Sequence, residues 1–162
     1  MDRDEFERCW HDNVQQVTAY ARRHVGRENA LDVASATFLT AWRTRRRLPD
    51  PPLPWLLAVA RGHVRNQVRS DRRQRGVQEK FAMLEECAAS APDAASTAEE
   101  RTAALEALIG LAPADREALL LVAWDGLSTD QAADVLGCRP GTLRTRLSRA
   151  RQRLELNLIN AR

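Results

Sequence analysis

The stretch LSTDQAADVLGCRPGTLRTRLSRARQRL, Leu127 to Leu154, decides how the chain is read. It opens with Ser128 and Gln131 in the S-x-x-Q spacing of a capping box, where each side chain satisfies a backbone amide at the other's position. A short helix, TDQAADVL, follows, then the turn GCRP, then a longer arginine-rich helix. Wound at about 100° per residue, that last helix places Leu143, Leu147, Ala150 and Leu154 on one line. Thr145, Ser148, Arg149 and Gln152 point the opposite way, with Arg144 at the edge and Arg146, Arg151 and Arg153 flanking the apolar stripe. A capped short helix, a Gly-containing turn and a basic second helix make a helix-turn-helix, and Ala132 and Ala133 are small where the two helices must cross. In such a unit the second helix lies in the major groove and its outward row reads base edges. A solvated bundle helix carries a similar charged face, and charge alone does not separate the two.

The remaining pattern is also helical. Pro113 opens PADREALLLVAW, which Gly126 can close, and TAALEALIGL precedes it. Near the N-terminus Phe6, Trp10, Val14, Val17 and Ala21 form one face of a long helix ending near Gly26. After the turn GREN, Leu31, Ala34, Phe38 and Ala41 share a second face with Trp42 beside them. Prolines 49, 51, 52 and 54 stop that helix, because proline lacks the amide a helix interior needs. A third helix starts near Pro54 with Leu57, Ala60, Val64 and Val68 as its stripe. Arg61, Arg65 and Arg69 repeat every four residues on a neighbouring face, followed by Arg72, Arg73 and Arg75. No strand pattern occurs.

The charge is distributed in blocks. Residues 1–75 carry 15 basic and 9 acidic side chains, net +6, while residues 76–115 carry 2 and 8, net −6. Residues 116–162 return to a net +3, with 8 basic and 5 acidic groups. The stretch ECAASAPDAASTAEE is small, acidic and poor in large apolar residues, the composition of a tether, with a short helix around Glu79 to Cys87. The reading is therefore an all-α chain of two small helical domains joined by a flexible acidic linker, at 1–75, 76–100 and 101–162.

Other classes are excluded by composition. No window nears the roughly 18 to 20 unbroken apolar residues of a membrane span, and the charged start MDRDEFERCW has no secretion-signal core, so a cytoplasmic protein is expected. Three distant cysteines read as free thiols in a reducing compartment. His11, His24 and His63 lack partners at ligand spacing, so neither metal nor cofactor is expected.

The stretch LIGLAPADREALLLVAWDGLSTDQAADVLGCRPGTLRTRLSRARQRL (108–154) resembles the C-terminal promoter-binding domain of the bacterial sigma-70 family, most of all its extracytoplasmic-function branch. The matching phrases are the G-x-S turn, the L-G of the helix-turn-helix, G-T-x-R-[ST]-R and R-A-R. Towards the N-terminus, D-V-x-x-x-x-F-L-x-A-W (Asp32 to Trp42) and W-L-x-x-x-A-R (Trp55 to Arg61) resemble that family's first domain. The resemblance implies a protein that binds core RNA polymerase and recruits it to promoter DNA, with no bond made or broken by the chain itself. Arg144, Thr145, Ser148, Arg149 and Gln152 would face the −35 element. Trp55, Arg61, Arg65, Asn66 and Arg69 would meet the −10 element, and Asp32, Ser35, Phe38, Leu39 and Trp42 the polymerase clamp. The acidic linker would thread a basic channel of the polymerase. An anti-sigma factor is a further partner the resemblance allows.

Two departures stand out. Ser35 and Ala36 occupy the places where the family usually carries Gln-Glu, and Gly62 stands where an Asn often faces the bases. Ser35 and Ala36 motivate one alternative, a helix-turn-helix regulator that binds polymerase weakly or not at all; a further alternative is a sigma mimic that titrates an anti-sigma factor.

Overall fold

The structure, a computed structural model, describes residues 2–44, 48–70, 82, 84, 85 and 97–160. Arg72, Arg73, Arg75 and most of the 76–100 stretch, including most of the short helix expected there, lie outside the described residues. Among those described, every regular element is an α-helix: α1 (Arg3–Thr44), α2 (Leu53–Ser70), α3 (Ala98–Ile109), α4 (Pro113–Ala123), α5 (Thr129–Leu136) and α6 (Pro140–Asn160). They fall into two compact units, Met1–Arg75 and Gly76–Arg162.

In the first unit, α1 starts on a reciprocal cap. The Asp2 carboxylate accepts the Glu5 amide at 2.8 Å, and the Glu5 carboxylate accepts the Asp2 amide at 3.0 Å. Two acids in the first turn also suit the positive end of the helix dipole. The helix breaks at one residue: Gly26 has φ 79° and ψ 174°, a conformation that costs glycine little and other residues much. The four-residue turn expected at GREN is thus a single glycine, and the residues after it are already helical. The Asn29 amide reaches back across the break to the Val25 carbonyl at 3.4 Å.

The two arms of α1 and helix α2 enclose one core. Val17, Tyr20, Ala21, Val25, Ala30, Val33, Ala34, Phe38 and Ala41 bury against Leu56, Leu57, Ala60 and Val64. The packing face of the second arm keeps Ala34, Phe38 and Ala41 from the expected set but not Leu31. Leu31 is 65% exposed, because Ala30, Val33, Ala34, Thr37, Phe38 and Ala41 set the buried face and Leu31 points about 100° away from Ala30. Val68 and Trp10 are likewise more exposed than their period suggests, and the packed stripe of α2 ends at Val64. Two of the buried polar side chains, Asn13 and Thr37, are satisfied on their own helix. The Asn13 amide donates to the Cys9 carbonyl at 2.8 Å and the Thr37 hydroxyl to the Val33 carbonyl at 2.7 Å.

The second unit stacks α3, α4 and α5 around α6. A capping box at Thr97 and Glu100 starts α3, with hydrogen bonds of 3.2 and 2.9 Å. Its last turn is held from two sides. Arg116 donates to the Ile109 carbonyl at 3.3 Å, and the Asn157 amide of α6 donates to the Ala107 carbonyl at 3.0 Å. Leu105, Leu119, Leu120, Leu121, Leu127, Leu143 and Leu147 fill the centre. Leu84 joins them: it lies in the stretch read as linker, yet it is buried against Leu105 and Leu120. No helix of the described residues is long and apolar enough to cross a membrane.

Candidate nucleic-acid interface

The helix-turn-helix is fixed at each corner by backbone chemistry. Leu127 returns its amide to the Leu121 carbonyl at 3.1 Å, closing α4 as Gly126 turns with φ 69°. Ser128 and Gln131 then cap α5 in both directions. Gly137, at φ 65°, ends α5 in the left-handed region, and Cys138 donates to the Ala133 carbonyl at 3.0 Å. Arg139 offers its carbonyl to the Leu143 amide at 3.1 Å, so Pro140 becomes the first residue of α6, where its missing amide costs nothing. Ala132 and Ala133 are fully buried, which lets α5 cross close to α6.

α6 runs 21 residues, about 30 Å, and extends past Leu154 to Asn160. Leu143, Leu147 and Ala150 are buried; Leu154 is half-buried. On the outer side Arg144, Thr145, Ser148, Arg149 and Gln152 are all exposed, so the five residues expected to face DNA form one accessible row. The Thr145 hydroxyl donates to the Gly141 carbonyl at 3.2 Å, which leaves its lone pairs as acceptors. An open groove runs along this face beside the start of α4, lined by Asp115, Thr145, Arg146, Arg149, Gln152 and Arg153 among others. Three guanidiniums in one concavity suit an anionic polymer, and Arg forks suit guanine edges or phosphate oxygens. Arg146 and Arg153 were visible only as flanks of the stripe. Asp115 had no local signal, since its neighbour in the groove lies on another helix.

The remaining expected residues lie in the first unit, on two elements. On α2, Arg65, Asn66 and Arg69 are exposed, and Trp55 and Arg61 are half-buried. Gly62 beside them faces open space: a Cβ built there would meet nothing within 4 Å. On the second arm of α1, Asp32, Ser35 and Leu39 are exposed and Trp42 is half-buried, whereas Phe38 is 0% exposed. Phe38 therefore belongs to the core, at the floor of the groove between the two arms. It packs on Trp10 with ring centroids 4.5 Å apart, and Phe6 meets Trp42 edge-on at 5.1 Å. Phe6, Trp10, Ser35, Leu39 and Trp42 border a shallow apolar groove between the two arms. Phe6 and Trp10 were read on one apolar face of the first helix; the structure shows them shared between core and surface.

Comparison with known proteins places these units beside a single family. Residues 9–74 match the family model for sigma-70 region 2, and residues 101–154 match that for sigma-70 region 4. The chain is 32% identical over 157 residues to the RNA polymerase sigma factor CarQ of Myxococcus xanthus, covering 93% of this chain and 87% of that protein. It is 32% identical over 145 residues to the ECF RNA polymerase sigma factor SigL of Mycobacterium tuberculosis, covering 86% of this chain and 80% of that protein. A probable RNA polymerase sigma factor, RfaY of Xanthomonas campestris pv. campestris, is 34% identical over 134 residues, 79% of this chain; the match spans only 34% of that longer protein. Among solved structures, CnrH, determined in complex with the cytosolic domain of CnrY, superposes with a TM-score of 0.70 at 25% identity, over 98% of this chain and 90% of that one.

Proposed function

The chain belongs to the sigma-70 family, of the extracytoplasmic-function type, and from that premise we propose that it is an alternative sigma factor that binds core RNA polymerase and directs promoter-specific transcription initiation. The observation that carries this reading is the outer row of α6. Arg144, Thr145, Ser148, Arg149 and Gln152 stand exposed together while Leu143, Leu147 and Ala150 hold the helix from behind. That row meets the −35 element, with Arg149 as a bidentate reader of a base edge and the flanking arginines on phosphates.

The first unit meets the other two partners. Arg61, Arg65, Asn66 and Arg69, with Trp55 at the start of the same helix, face the −10 element. Asp32, Ser35, Leu39 and Trp42 present the polymerase-binding surface, and Phe38 supports it from inside. Residues 1–75 and 101–162 are the two functional domains, joined by an acidic linker at 76–100 that a positively charged channel would attract. The protein works by binding alone, in the cytoplasm. CnrH was solved with the cytosolic domain of CnrY; by analogy an anti-sigma factor is a further partner proposed for this chain.

Multi-round transcription with purified core polymerase on a promoter library tests the proposal. Initiation that depends on this protein is the expected result. Ser35 and Ala36, which replace the usual Gln-Glu, favour one second reading, a DNA-binding regulator with weak polymerase binding. Sequence-specific DNA binding without core-dependent initiation would establish that reading instead.

A further inference from the structure

The groove beside α6 holds one acid among its described lining residues, and that acid sits against one of the arginines. Asp115, in the first turn of α4, places Oδ1 3.8 Å from Nε of Arg146, with the two side chains 23% and 34% exposed. The carboxylate is well placed where it is, because the positive end of the α4 dipole favours an anion in that turn. Arg149 and Arg153 line the same groove. Of three cations in the groove, Arg146 has an internal counter-ion.

We propose that Asp115 is a positioning residue for promoter binding: it acts as a built-in counter-ion that a DNA phosphate must displace from Arg146. The inference rests on the reading that α6 faces DNA. Phosphate contacts carry affinity but no sequence information. Muting one of them lowers binding to every duplex by the same factor and leaves the discrimination supplied by the outer row of α6 intact. It also lowers salt sensitivity, since each phosphate neutralised releases counter-ions and adds about 0.9 to the slope of log affinity against log salt. Asp115 thus sets how hard the protein grips any duplex, separately from which duplex it prefers.

The test uses the full chain bound to core polymerase, on a promoter duplex and on the same duplex with its −35 element scrambled, between about 50 and 200 mM salt. Asp115→Asn should bind both duplexes more tightly by a similar factor, with their ratio unchanged. Its salt slope should steepen by about one, so that it loses roughly three- to fourfold more affinity than wild type across that range. Asp115→Glu should restore the wild-type slope, and Asp115→Asn should have no such effect in an Arg146→Gln background. Glu155→Gln removes the same formal charge from an exposed position on α6 and should steepen the slope by clearly less, since salt screens it. An unchanged slope, tighter binding confined to the promoter duplex, or equal effects of Glu155→Gln and Asp115→Asn would each overturn the proposal. If Asp115→Asn melts early, Arg146→Gln alone decides: a slope loss well under one supports the counter-ion, and a full unit, as expected for Arg153→Gln, refutes it. Arg149→Ala separates the two levels. If it leaves promoter binding intact, the reading of α6 fails and takes this inference with it; if it weakens binding while Asp115→Asn is silent, only the counter-ion fails.

Discussion

Ser128 and Gln131 satisfy each other's backbone at the head of α5: the Ser128 hydroxyl accepts the Gln131 amide at 3.2 Å, and the Gln131 side-chain oxygen accepts the Ser128 amide at 2.9 Å. An eight-residue helix has little stability of its own, so this pair decides how firmly Ala132 and Ala133 are pressed against α6. Ser128→Ala should cost about 1 kcal/mol. For a unit of this size that lowers its melting temperature by roughly 4–8 °C. Thermal melting of the full chain, followed by helical signal, checks it, and promoter binding should weaken only in proportion to unfolding.

Arg149 stands in the exposed row with Arg144, Thr145, Ser148 and Gln152. Arg149→Ala should therefore leave stability within about 0.5 kcal/mol of wild type, as surface substitutions do. It should cost about 1–3 kcal/mol of promoter affinity and relax preference at one base position. Binding to a panel of promoter duplexes mutated one base pair at a time is the measurement. A uniform loss across the panel would make Arg149 a phosphate contact instead.

The helix-turn-helix was legible because its signals are local: a capping box, a glycine after the last apolar residue, and a stripe of three leucines and Ala150 at spacings of four, three and four. The outer row followed from the same wheel. What stayed hidden was part of the packing face of α1, where Ala30 and the polar groups at 13 and 37 are buried. Hydropathy ranks Leu31 above all of these, yet close approach of helices selects small residues, and Asn13 and Thr37 enter the core only because their own backbone satisfies them. The caps at Asp2–Glu5 and Thr97–Glu100 obey a readable rule but lie in charged surroundings that masked them. Asp115 and Arg146 belong to different helices, so nothing in either local pattern pairs them. Which face of α1 or α2 meets a partner is not encoded in periodicity at all, and those assignments came from resemblance.

Gly62 lies inside α2 with open space where a side chain would project. Glycine there costs the helix about 0.5–1 kcal/mol relative to alanine, through backbone entropy alone. Gly62→Ala should stabilise the first unit by that amount, read as a higher denaturant midpoint with an unchanged slope. Gly62→Asn should recover part of it and, if α2 faces the −10 element, also raise open-complex formation on a weak promoter. A gain in stability without any change in opening would place position 62 away from the melted strand.

Phe38 and Leu39 are adjacent on the second arm of α1 but face opposite environments, 0% and 46% exposed. Phe38 packs on Trp10 and sits edge-on to Phe6 at 6.5 Å, so Phe38→Ala removes a buried ring and should cost about 3–5 kcal/mol. Leu39 borders the apolar groove with Trp42. Leu39→Ala should leave stability nearly unchanged and weaken assembly with core polymerase, because an exposed leucine contributes only where a partner covers it. Chemical denaturation and polymerase binding, measured on both variants, separate the two roles. Equal losses of stability would mean that Leu39 is core after all; undiminished polymerase binding by a folded Leu39→Ala protein would move the docking surface off this arm.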